Sequence, residues 1–550
     1  MTTTFNLWDE PWIRVRDAAG TVSEVSLTQV FGDSARYQTL AGDLGSQDVA
    51  ILRLLLAIIM RSIDADASDD ELIDQWGQWW TTRTLPTDDV YAYRDQYRDR
   101  FDLCDPDAPF MQVGGLESTS GNYSGLPKLI ADVPDGASPF SMRENSSLES
   151  LSLPEAARWL VHCQAFDSSG IKTGMKRDAS TKGGKSYPTG VGLTGAMGLV
   201  IAEGVNLTET LLLNLNMVML AEHDSVVWER PPQKAGADMA HPVPTGPADL
   251  YCWTSRRMRL IFSNEHVSDV LIANGDKVDI SNRMRLEPMS AWKPKSGKKD
   301  TFVPRTHSSS RQMWRGLAPL LTRGAQATVW GGKHGYALPL MAWLATLQER
   351  GLILPGDRIS LRTLGLEYKF PERSVIVGLV DDSLNVEISA ITDERVVATI
   401  AHAADVADAA AVAAGDLGKD LAFVAGQYTN PSANKKLVGM LRSQGRERAY
   451  ADLDMAFRQW LAGLTNGSDM PALEEQWRDQ VRSRIRPVGL GLCREAGERS
   501  ARGRQLGINA AFMPGEPIDT AWCWNRFQQN LWKATEGTLI NTTTADKEQS

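Results

Sequence analysis

The chain of 550 residues is poor in cysteine. Its five cysteines are Cys104, Cys163, Cys252, Cys493 and Cys523, and no two of them lie closer than 30 residues along the chain. The CxxC spacing of zinc knuckles and of thioredoxin-like redox pairs is therefore missing, and an odd, scattered set does not predict a disulfide framework. Such unpaired thiols are typical of a reducing compartment. We expect a cytoplasmic protein that needs no metal or other cofactor.

Long hydrophobic runs are also lacking. The most apolar stretch, residues 49–60, is interrupted by Arg53 and is too short to span a bilayer. The N-terminal sequence MTTTFNLWDEPWIRVR is acidic and aromatic rather than basic and then apolar, which does not fit a signal peptide. The sequence thus predicts a soluble protein without a membrane partner.

Catalytic patterns are equally scarce. None of the seven histidines lies three or four residues from another, and neither HExxH nor the GxSxG nucleophile elbow occurs. Residues 190–195 satisfy GxGxxG, but the Ser-Tyr-Pro-Thr sequence before them is a poor buried strand, so a dinucleotide site is not predicted. The sequence therefore predicts a protein that is not an enzyme.

The chain does contain ample material for a hydrophobic core, with 42% apolar residues and 17 tryptophans. Its patterning predicts an α+β fold, in which residues 1–390 form a large mixed α/β domain. Beyond residue 390 the sequence becomes Ala-rich with helical periodicity, and amphipathic stretches separated by Gly, Asn and Pro predict a four-helix bundle over residues 391–550. The four predicted helices span residues 396–414, 451–464, 471–486 and 518–532.

Charge is unevenly distributed along the chain. The 58 Lys plus Arg and 68 Asp plus Glu give a net charge of −10, and the acidic excess lies in residues 1–400. Residues 481–504 instead hold seven Arg against two Glu. The net charge argues against a protein whose whole surface binds nucleic acid, but it leaves contacts through individual loops open.

The remaining candidates are loops. Residues 167–174, DSSGIKTG, can present backbone N–H groups, hydroxyls and one lysine to a phosphate or a base edge, although the same composition suits a plain turn. Lys277 lies in a second turn, and four further lysines between residues 293 and 299 suit a solubilising surface. Residues 366–380 place apolar flanks around a polar tip, residues 369–373, which predicts a β-hairpin.

Several segments occur in the same order as in a known family. They are Phe5-Asn6-Leu7 with Trp12-Ile13, Phe101-Asp102-Leu103 followed by Pro109-Phe110-Met111-Gln112, Gln164-Ala165-Phe166-Asp167 running on to Gly174, Lys182-Gly183-Gly184-Lys185-Ser186-Tyr187-Pro188, and Glu203-Gly204 followed by residues 210–214. Through them the chain resembles the large subunit, the CasA family, of the type I-E CRISPR Cascade surveillance complex. The likeness covers roughly residues 5–380, and the predicted bundle agrees with the family's four-helix bundle.

The resemblance implies a role in antiviral defence without a nuclease of its own. Members of the family recognise the protospacer-adjacent motif in invading double-stranded DNA, promote strand separation so that guide RNA can pair, and help to recruit a helicase–nuclease. The implied partners are therefore double-stranded target DNA, the 5′ handle of the CRISPR guide RNA, the other Cascade subunits and the recruited helicase–nuclease.

The resemblance also implies roles for individual residues. The family's glycine loop corresponds to residues 167–170, and its DNA contacts to Ser168, Ser169, Gly170 and Lys172. The lysine finger corresponds to Lys277. The wedge hairpin corresponds to residues 369–373, with Lys369, Glu372 and Arg373 as the wedge and Glu372 in place of the usual glutamine. The guide-RNA loop contains Phe140 and Arg143, and the phosphate contacts of the bundle are Arg482, Arg484 and Arg486.

Two other interpretations stay open. One is an enzyme of unknown class that binds a phosphorylated small molecule at the Gly-rich loop of residues 166–198, and the other is a structural scaffold whose loops contact only protein. The DNA interpretation requires the glycine loop, Lys277 and the wedge hairpin to share one face. The enzyme interpretation requires a closed pocket with acid and base groups.

Overall fold

The computed structural model describes residues 4–132, 148–238, 241–317, 321, 327–330, 333–335, 338–505 and 517–536. The chain forms two compact units, residues 1–313 with 319–384 and residues 314–318 with 385–550. The first unit mixes helices and small antiparallel sheets, and the second is mainly helical. This architecture confirms the predicted α+β class.

The N-terminal sheet has the strand order β2-β1-β3, formed by β1 (Ile13–Asp17), β2 (Val22–Val25) and β3 (Tyr37–Leu40). The first two strands form an antiparallel hairpin. Gly20 in its turn has a φ of 84°, a conformation that glycine adopts without steric cost. Helix α1 (Leu27–Asp33) follows, with Ser26 as its N-cap.

Three helices come next: α2 (Gly45–Ser62), α3 (Asp69–Thr82) and α4 (Thr87–Tyr97). Helix α2 contains the most apolar stretch of the sequence, and it is buried along almost its whole length. Its fully buried Arg53 donates to Glu287, with 2.8 Å between Nη2 and Oε2, and stacks over the ring of Tyr251. A buried charge needs such a partner, which explains a single arginine within an otherwise apolar helix.

The second sheet has the order β4-β9-β8, with β4 (Leu151–Ser152), β8 (Arg256–Ser263) and β9 (His266–Asn274). Strand β4 leads directly into α5 (Leu153–Phe166), whose first turn is capped by the hydroxyl of Ser152. Buried side chains cover nearly every position of α5, so this helix fixes the start of the loop that follows it.

The third sheet has the order β15-β14-β7, with β7 (Leu199–Glu203), β14 (Arg358–Tyr368) and β15 (Ile376–Glu387). Strands β14 and β15 form the hairpin predicted around residues 369–373. Strand β7 pairs antiparallel with β14 from the other side, so the base of the hairpin is held within a sheet while its tip extends beyond.

Shorter elements complete the first unit. They are the hairpin strands β5 (Lys172–Thr173) and β6 (Lys185–Ser186), the pairs β10 (Trp292–Pro294) with β11 (Phe302–Pro304) and β12 (Ala327–Trp330) with β13 (Lys333–Gly335), and the helices α6 (Leu207–Asn214), α7 (Pro247–Tyr251) and α8 (Pro339–Glu349).

The described part of the second unit contains four long helices, as predicted: α10 (Glu394–Val424), α11 (Lys435–Ala462), α12 (Met470–Glu495) and α14 (Thr520–Thr535). They are accompanied by α9 (Ser389–Thr392), α13 (Gly497–Arg502) and the strands β16 (Arg504–Gln505) and β17 (Pro517–Ile518). The division of the chain falls at residues 384 and 385, whereas the boundary predicted from composition, at 390 and 391, lies within α9. The change in composition reflects the approach to the Ala-rich helix α10, whereas the structural division lies within β15.

Helix α10 is the central helix of the bundle, because it packs against α11, α12 and α14. Small residues allow this close packing: a Cβ atom on Gly445 of α11 would overlap the carbonyl of Ala414. The indole Nε1 of Trp477 in α12 donates to the carbonyl oxygen of Ala403 at 2.8 Å. Among the described residues, α10 alone has the length and hydropathy of a membrane span, and its apolar side chains are those that pack in the bundle.

Candidate nucleic-acid interface

The glycine loop, residues 167–170, starts where α5 ends. The N–H of Asp167 donates to the carbonyl oxygen of Cys163, and the chain then leaves the helix. Ser169 is buried, with 8% of its surface exposed, and Gly170 has a φ of 156° with open space where a side chain would stand. A bulkier residue at position 170 would be strained and would hold a ligand away from the backbone.

The buried Arg256 of β8 fixes the shape of this loop. Its Nε donates to Oδ2 of Asp167 at 2.5 Å, and its Nη2 donates to the carbonyl oxygens of Asp167, Ser168 and Gly190 at 3.2, 3.1 and 2.8 Å. One planar guanidinium thus holds both the glycine loop and the segment at residue 190. The sequence analysis did not identify Arg256, because its role depends on partners that are distant in the chain.

Lys172 was predicted to contact DNA, but its side chain is largely buried and paired within the protein. Its Nζ lies 2.5 Å from Oδ2 of Asp167, and only 12% of its side chain is exposed. Burial alone would raise the pKa of Asp167, but Lys172 and Arg256 outweigh it and lower that pKa below its usual value. Lys172 is therefore engaged in neutralising a buried carboxylate beneath the loop, and its ammonium group is not presented to solvent.

Two of the segments that carry the family resemblance support the loop from below. The amide Nε2 of Gln164 donates to the carbonyl oxygens of Met111 at 2.9 Å and Arg256 at 3.1 Å, and its Oε1 accepts from the N–H of Arg256. Gln112 in turn accepts from the N–H of Leu260 and donates to the carbonyl of Leu103. These glutamines connect α5, β8 and the loop around residues 103–112 below the glycine loop.

Lys277 lies in the loop that follows β9, and it is exposed. The preceding residues are fixed: Asp276 accepts from Nη2 of Arg257 at 2.6 Å, and Gly275 donates to the carbonyl of Ser255 at 3.0 Å. Within the part of the chain that the structure describes, the ammonium group of Lys277 has no ion pair. An uncompensated cation on a fixed turn is suited to contact an anionic ligand.

Asn274, the last residue of β9, joins Lys277 to the glycine loop. Its Nδ2 donates to the carbonyl oxygens of Gly170 and Ser186, both at 3.1 Å, and its N–H donates to the hydroxyl of Ser186 at 3.1 Å. Lys277 follows three residues after this junction. The side chain of Asn274 thus ties the glycine loop to the end of β9, from which the turn containing Lys277 leads.

The wedge hairpin joins the same surface. The N–H of Ser169 donates to the carbonyl oxygen of Arg373 at 2.9 Å, and the hydroxyl of Tyr368 donates to the carbonyl oxygen of Phe166 at 2.6 Å. The hairpin is therefore bonded both to the glycine loop and to the last residue of α5, directly before that loop. Through Ser169 and Asn274, the three segments that sequence analysis required to share a face are brought together.

The hairpin tip itself is compact and exposed. Lys369 donates its N–H to the carbonyl of Val375 at 2.9 Å and accepts from the N–H of Arg373 at 2.8 Å. The predicted wedge residues Lys369, Glu372 and Arg373 are all exposed. So is Phe370, with 81% of its surface open to solvent. Sequence analysis missed Phe370, because an aromatic residue between apolar flanks is ordinarily taken for core.

The GxGxxG sequence at residues 190–195 has a packing role. A Cβ atom on Gly192 would overlap the backbone of Ala165, and one on Gly195 would overlap the hydroxyl of Tyr368. These two glycines let the segment lie directly against the end of α5 and the hairpin. They are not free to cradle a phosphate, so this part of the Gly-rich loop does not support the enzyme interpretation.

In the second unit, α12 carries the three predicted phosphate contacts. Arg484 and Arg486 are exposed. Arg482 differs, because its Nε donates to the hydroxyl of Thr535 in α14 at 2.8 Å and its Nη1 lies 3.3 Å from Asp479. Arg482 thus stabilises the bundle, while Arg484 and Arg486 are presented to solvent.

The predicted guide-RNA contacts, Phe140 and Arg143, lie outside the described residues. Over the described ranges, no group of three His, Cys, Asp or Glu side chains is arranged to hold a metal ion. Among the histidines that the structure describes, His162 and His307 have a pKa lowered to about 4, mainly because of burial, and both serve in packing.

The chain is similar to known proteins over most of its length. The family model described as CRISPR-associated protein Cse1 matches residues 6–487. The CasA/Cse1 protein of Thermus thermophilus is 30% identical over 368 residues, which are 66% of this chain and 67% of that protein. The crystal structure of Thermobifida fusca Cse1 matches with a TM-score of 0.85 and 34% identity over 97% of this chain and 98% of that chain.

Further solved structures share the fold. Cse1 from Acidimicrobium ferrooxidans matches with a TM-score of 0.77 and 28% identity over 97% of this chain and 98% of that chain. A chain of a CRISPR RNA-guided surveillance complex matches with a TM-score of 0.63 and 20% identity over 90% of this chain and 100% of that chain. From the match of the family model and the two Cse1 relatives that share 30% or more of their residues, the chain belongs to the CRISPR-associated Cse1 family, also called CasA, the family of the large subunit of the type I-E Cascade surveillance complex.

Proposed function

We propose that this subunit recognises the protospacer-adjacent motif in double-stranded DNA and starts the separation of the strands at that point. The observation that supports the proposal is the pair of hydrogen bonds from Ser169 to Arg373 and from Asn274 to Gly170. They connect the glycine loop to the wedge hairpin and to the end of β9, three residues before Lys277, although these segments are distant in sequence.

The chemistry of this surface suits the minor groove. The minor groove displays mainly acceptors and distinguishes base pairs poorly, so a lysine and a close backbone give tolerant recognition of a short motif. We propose Lys277 as the side chain that enters the groove, with Ser168 and Gly170 as the backbone that approaches it. Ser169 supports the loop from its buried position, and its N–H is already donated to the hairpin.

We propose Phe370 as the residue that unstacks the first base pair. Apolar side chains, phenylalanine among them, serve as wedges between base steps in proteins that kink DNA, at a cost of a few kcal/mol per step. Lys369 and Arg373 flank it and are suited to the phosphates on either side, whereas the carboxylate of Glu372 would be repelled by them. Pairing of the guide RNA with the opened strand then offsets the cost of unstacking.

The other partners follow from membership of the family. We propose that Arg484 and Arg486 contact phosphates without regard to sequence, and that Phe140 and Arg143 contact the 5′ handle of the guide RNA. The subunit would help to recruit the helicase–nuclease after strand opening, and it would perform no chemistry of its own. The packed glycines at 192 and 195 favour this proposal over an enzyme that binds a phosphorylated small molecule.

The test uses the assembled complex and a gel shift with motif-bearing and motif-scrambled duplexes. Lys277→Ala should lower affinity for the motif-bearing duplex by about tenfold, the loss expected for one groove contact, while complex assembly is unchanged. Lys176→Ala is the matched control, because Lys176 is exposed but paired with Glu117 at 2.8 Å. Unchanged DNA affinity would rule out Lys277 as the finger, and impaired assembly alone would favour the scaffold interpretation.

A further inference from the structure

The connection between β5 and β6 leads into β6 through a tight turn with two lysines, Lys182-Gly183-Gly184-Lys185, which we call the lysine turn. Lys182 and Lys185 exchange backbone hydrogen bonds of 3.0 and 3.1 Å. Gly183 and Gly184 between them have φ values of 57° and 72°. Two central residues with positive φ form the tight turn that suits the twist of a hairpin, and they place the flanking lysines directly opposite each other.

Two like charges at opposed positions of a hairpin repel each other and destabilise it. Both lysines are exposed, and neither side chain has an ion pair or hydrogen bond among the residues described here. The other two lysines of the same segment are neutralised, Lys172 by Asp167 and Lys176 by Glu117. Of the four lysines in this segment, Lys182 and Lys185 are the two without a partner among the described residues, and an anion would relieve their mutual repulsion.

The lysine turn is held firmly against the proposed DNA surface. Gly174 donates its N–H to the carbonyl of Gly184 at 3.0 Å, and a Cβ atom on Gly174 would stand only 2.6 Å from the carbonyl carbon of Gly184. Ser186, the residue after the turn, is bonded twice to Asn274. Asn274 is the residue that also holds Gly170 and precedes the Lys277 segment.

We propose that the lysine turn binds the sugar–phosphate backbone of the duplex whose minor groove is read by the glycine loop and Lys277. This inference rests on the proposed function. Lysine ammonium groups act as compact point charges that suit phosphates, and the two glycines between them offer no side chain that could read a base. The lysine turn therefore adds affinity that is independent of sequence, and the motif is distinguished elsewhere on the surface.

The experiment measures equilibrium binding of the assembled complex to a motif-bearing duplex between 50 and 200 mM salt. Each phosphate contact contributes about 0.9 to the slope of log affinity against log salt, so K182A/K185A should make that slope shallower by about 1.8. Over this fourfold range of salt, affinity of the wild-type complex should fall about twelvefold more than that of the variant. The preference for motif over scrambled duplex should stay as in the wild type.

Lys176→Ala, a paired lysine in the same segment, is the control and should leave the slope near its wild-type value. An unchanged slope for K182A/K185A, with motif preference of the wild-type complex intact, would overturn this inference and leave the proposed function standing. Failure of the variant subunit to enter the complex would overturn it as well, since the lysine turn would then contact protein. Absence of any motif preference in the wild-type complex would remove the proposed function itself.

Discussion

The backbone N–H of Ser169 donates to the carbonyl oxygen of Arg373 across 2.9 Å, and this bond joins a loop after a helix to the tip of a hairpin in another sheet. The loop and the tip are therefore coupled mechanically. Under the proposed function, a rearrangement of the hairpin on strand opening would be transmitted to the glycine loop, and a docked duplex would in turn fix the tip in position to unstack the next base pair.

The first prediction concerns Arg256, which would affect DNA binding only through the loop it positions. Arg256→Lys keeps the positive charge beside Asp167 but loses the planar guanidinium that reaches three carbonyl oxygens. We expect the subunit to assemble and the affinity for motif-bearing duplex to fall by about tenfold, since hydrogen bonds from a charged group are worth about 1.5–3 kcal/mol. The preference over scrambled duplex should shrink in the same measurement.

The matched control for that prediction is Arg53→Lys. Arg53 is also a buried arginine in an ion pair, but its partner Glu287 lies outside the glycine loop. Its replacement should lower the thermal unfolding midpoint without changing the preference for the motif. Equal losses of preference in the two variants would mean that general destabilisation, and not the shape of the loop, explains the effect.

The second prediction concerns Phe370. Stacking of one base on an aromatic ring is worth about 1–3 kcal/mol, so Phe370→Ala should reduce strand opening by roughly tenfold while docking of the duplex is retained. Phe370→Trp should preserve opening. The readout is a fluorescent base analogue placed next to the motif, and Val377→Ala, an exposed apolar residue of β15, is the control.

A second variant distinguishes the role of the Phe370 side chain from the role of the hairpin as a whole. Replacing residues 369–373 with a Gly-Ser sequence should leave docking intact and lower strand opening at least as much as Phe370→Ala. If only the Gly-Ser variant fails to open DNA, the hairpin is the wedge and Phe370 is not its essential side chain. If both variants open DNA normally, the hairpin has a structural role only.

Local patterns in the sequence account for much of the fold. The hairpin of β14 and β15 and the four helices of the bundle were predicted because their periodicity and turn residues are contained within short stretches. The order of the resembling segments also located the glycine loop and its neighbours. These features depend on contacts between residues that are close along the chain or on direct resemblance.

The parts that the sequence did not predict depend on distant partners. Arg256 lies in an ordinary strand pattern, and only the fold brings it below the glycine loop. Lys172 lies in a loop whose composition suits a ligand contact, yet its ammonium group faces the buried Asp167. Phe370 has an apolar character that suggests burial, and only the geometry of the tip exposes it. Burial and pairing of single side chains are properties of the tertiary structure.

The third prediction concerns pH and Asp48 in α2. Burial, opposed by a hydrogen bond from Gly42 and by the charge of Arg362, raises the pKa of Asp48 to about 6. The folded protein therefore binds a proton at this site more readily than the unfolded chain does. The stability contributed by protonated Asp48 is present below about pH 4 and is lost as pH rises through about 6.

Asp48→Asn mimics the protonated state at every pH. The variant should unfold at nearly the wild-type temperature at pH 4, and above pH 7 it should be more stable by at most about 3 kcal/mol. Thermal unfolding followed by circular dichroism from pH 4 to 8 gives this comparison. A difference between variant and wild type that does not change with pH would contradict the assignment.

The most direct test of the central claim identifies which residues touch the motif. The assembled wild-type complex is bound to target duplex that carries 4-thiothymidine within the motif, irradiated and digested, and the crosslinked peptides are identified by mass spectrometry. The account predicts crosslinks to peptides containing residues 167–170 and Lys277, with the hairpin tip at residues 369–373 crosslinked when the analogue stands at the first base pair beyond the motif. Crosslinks confined to other subunits, with none to these three segments, would contradict it.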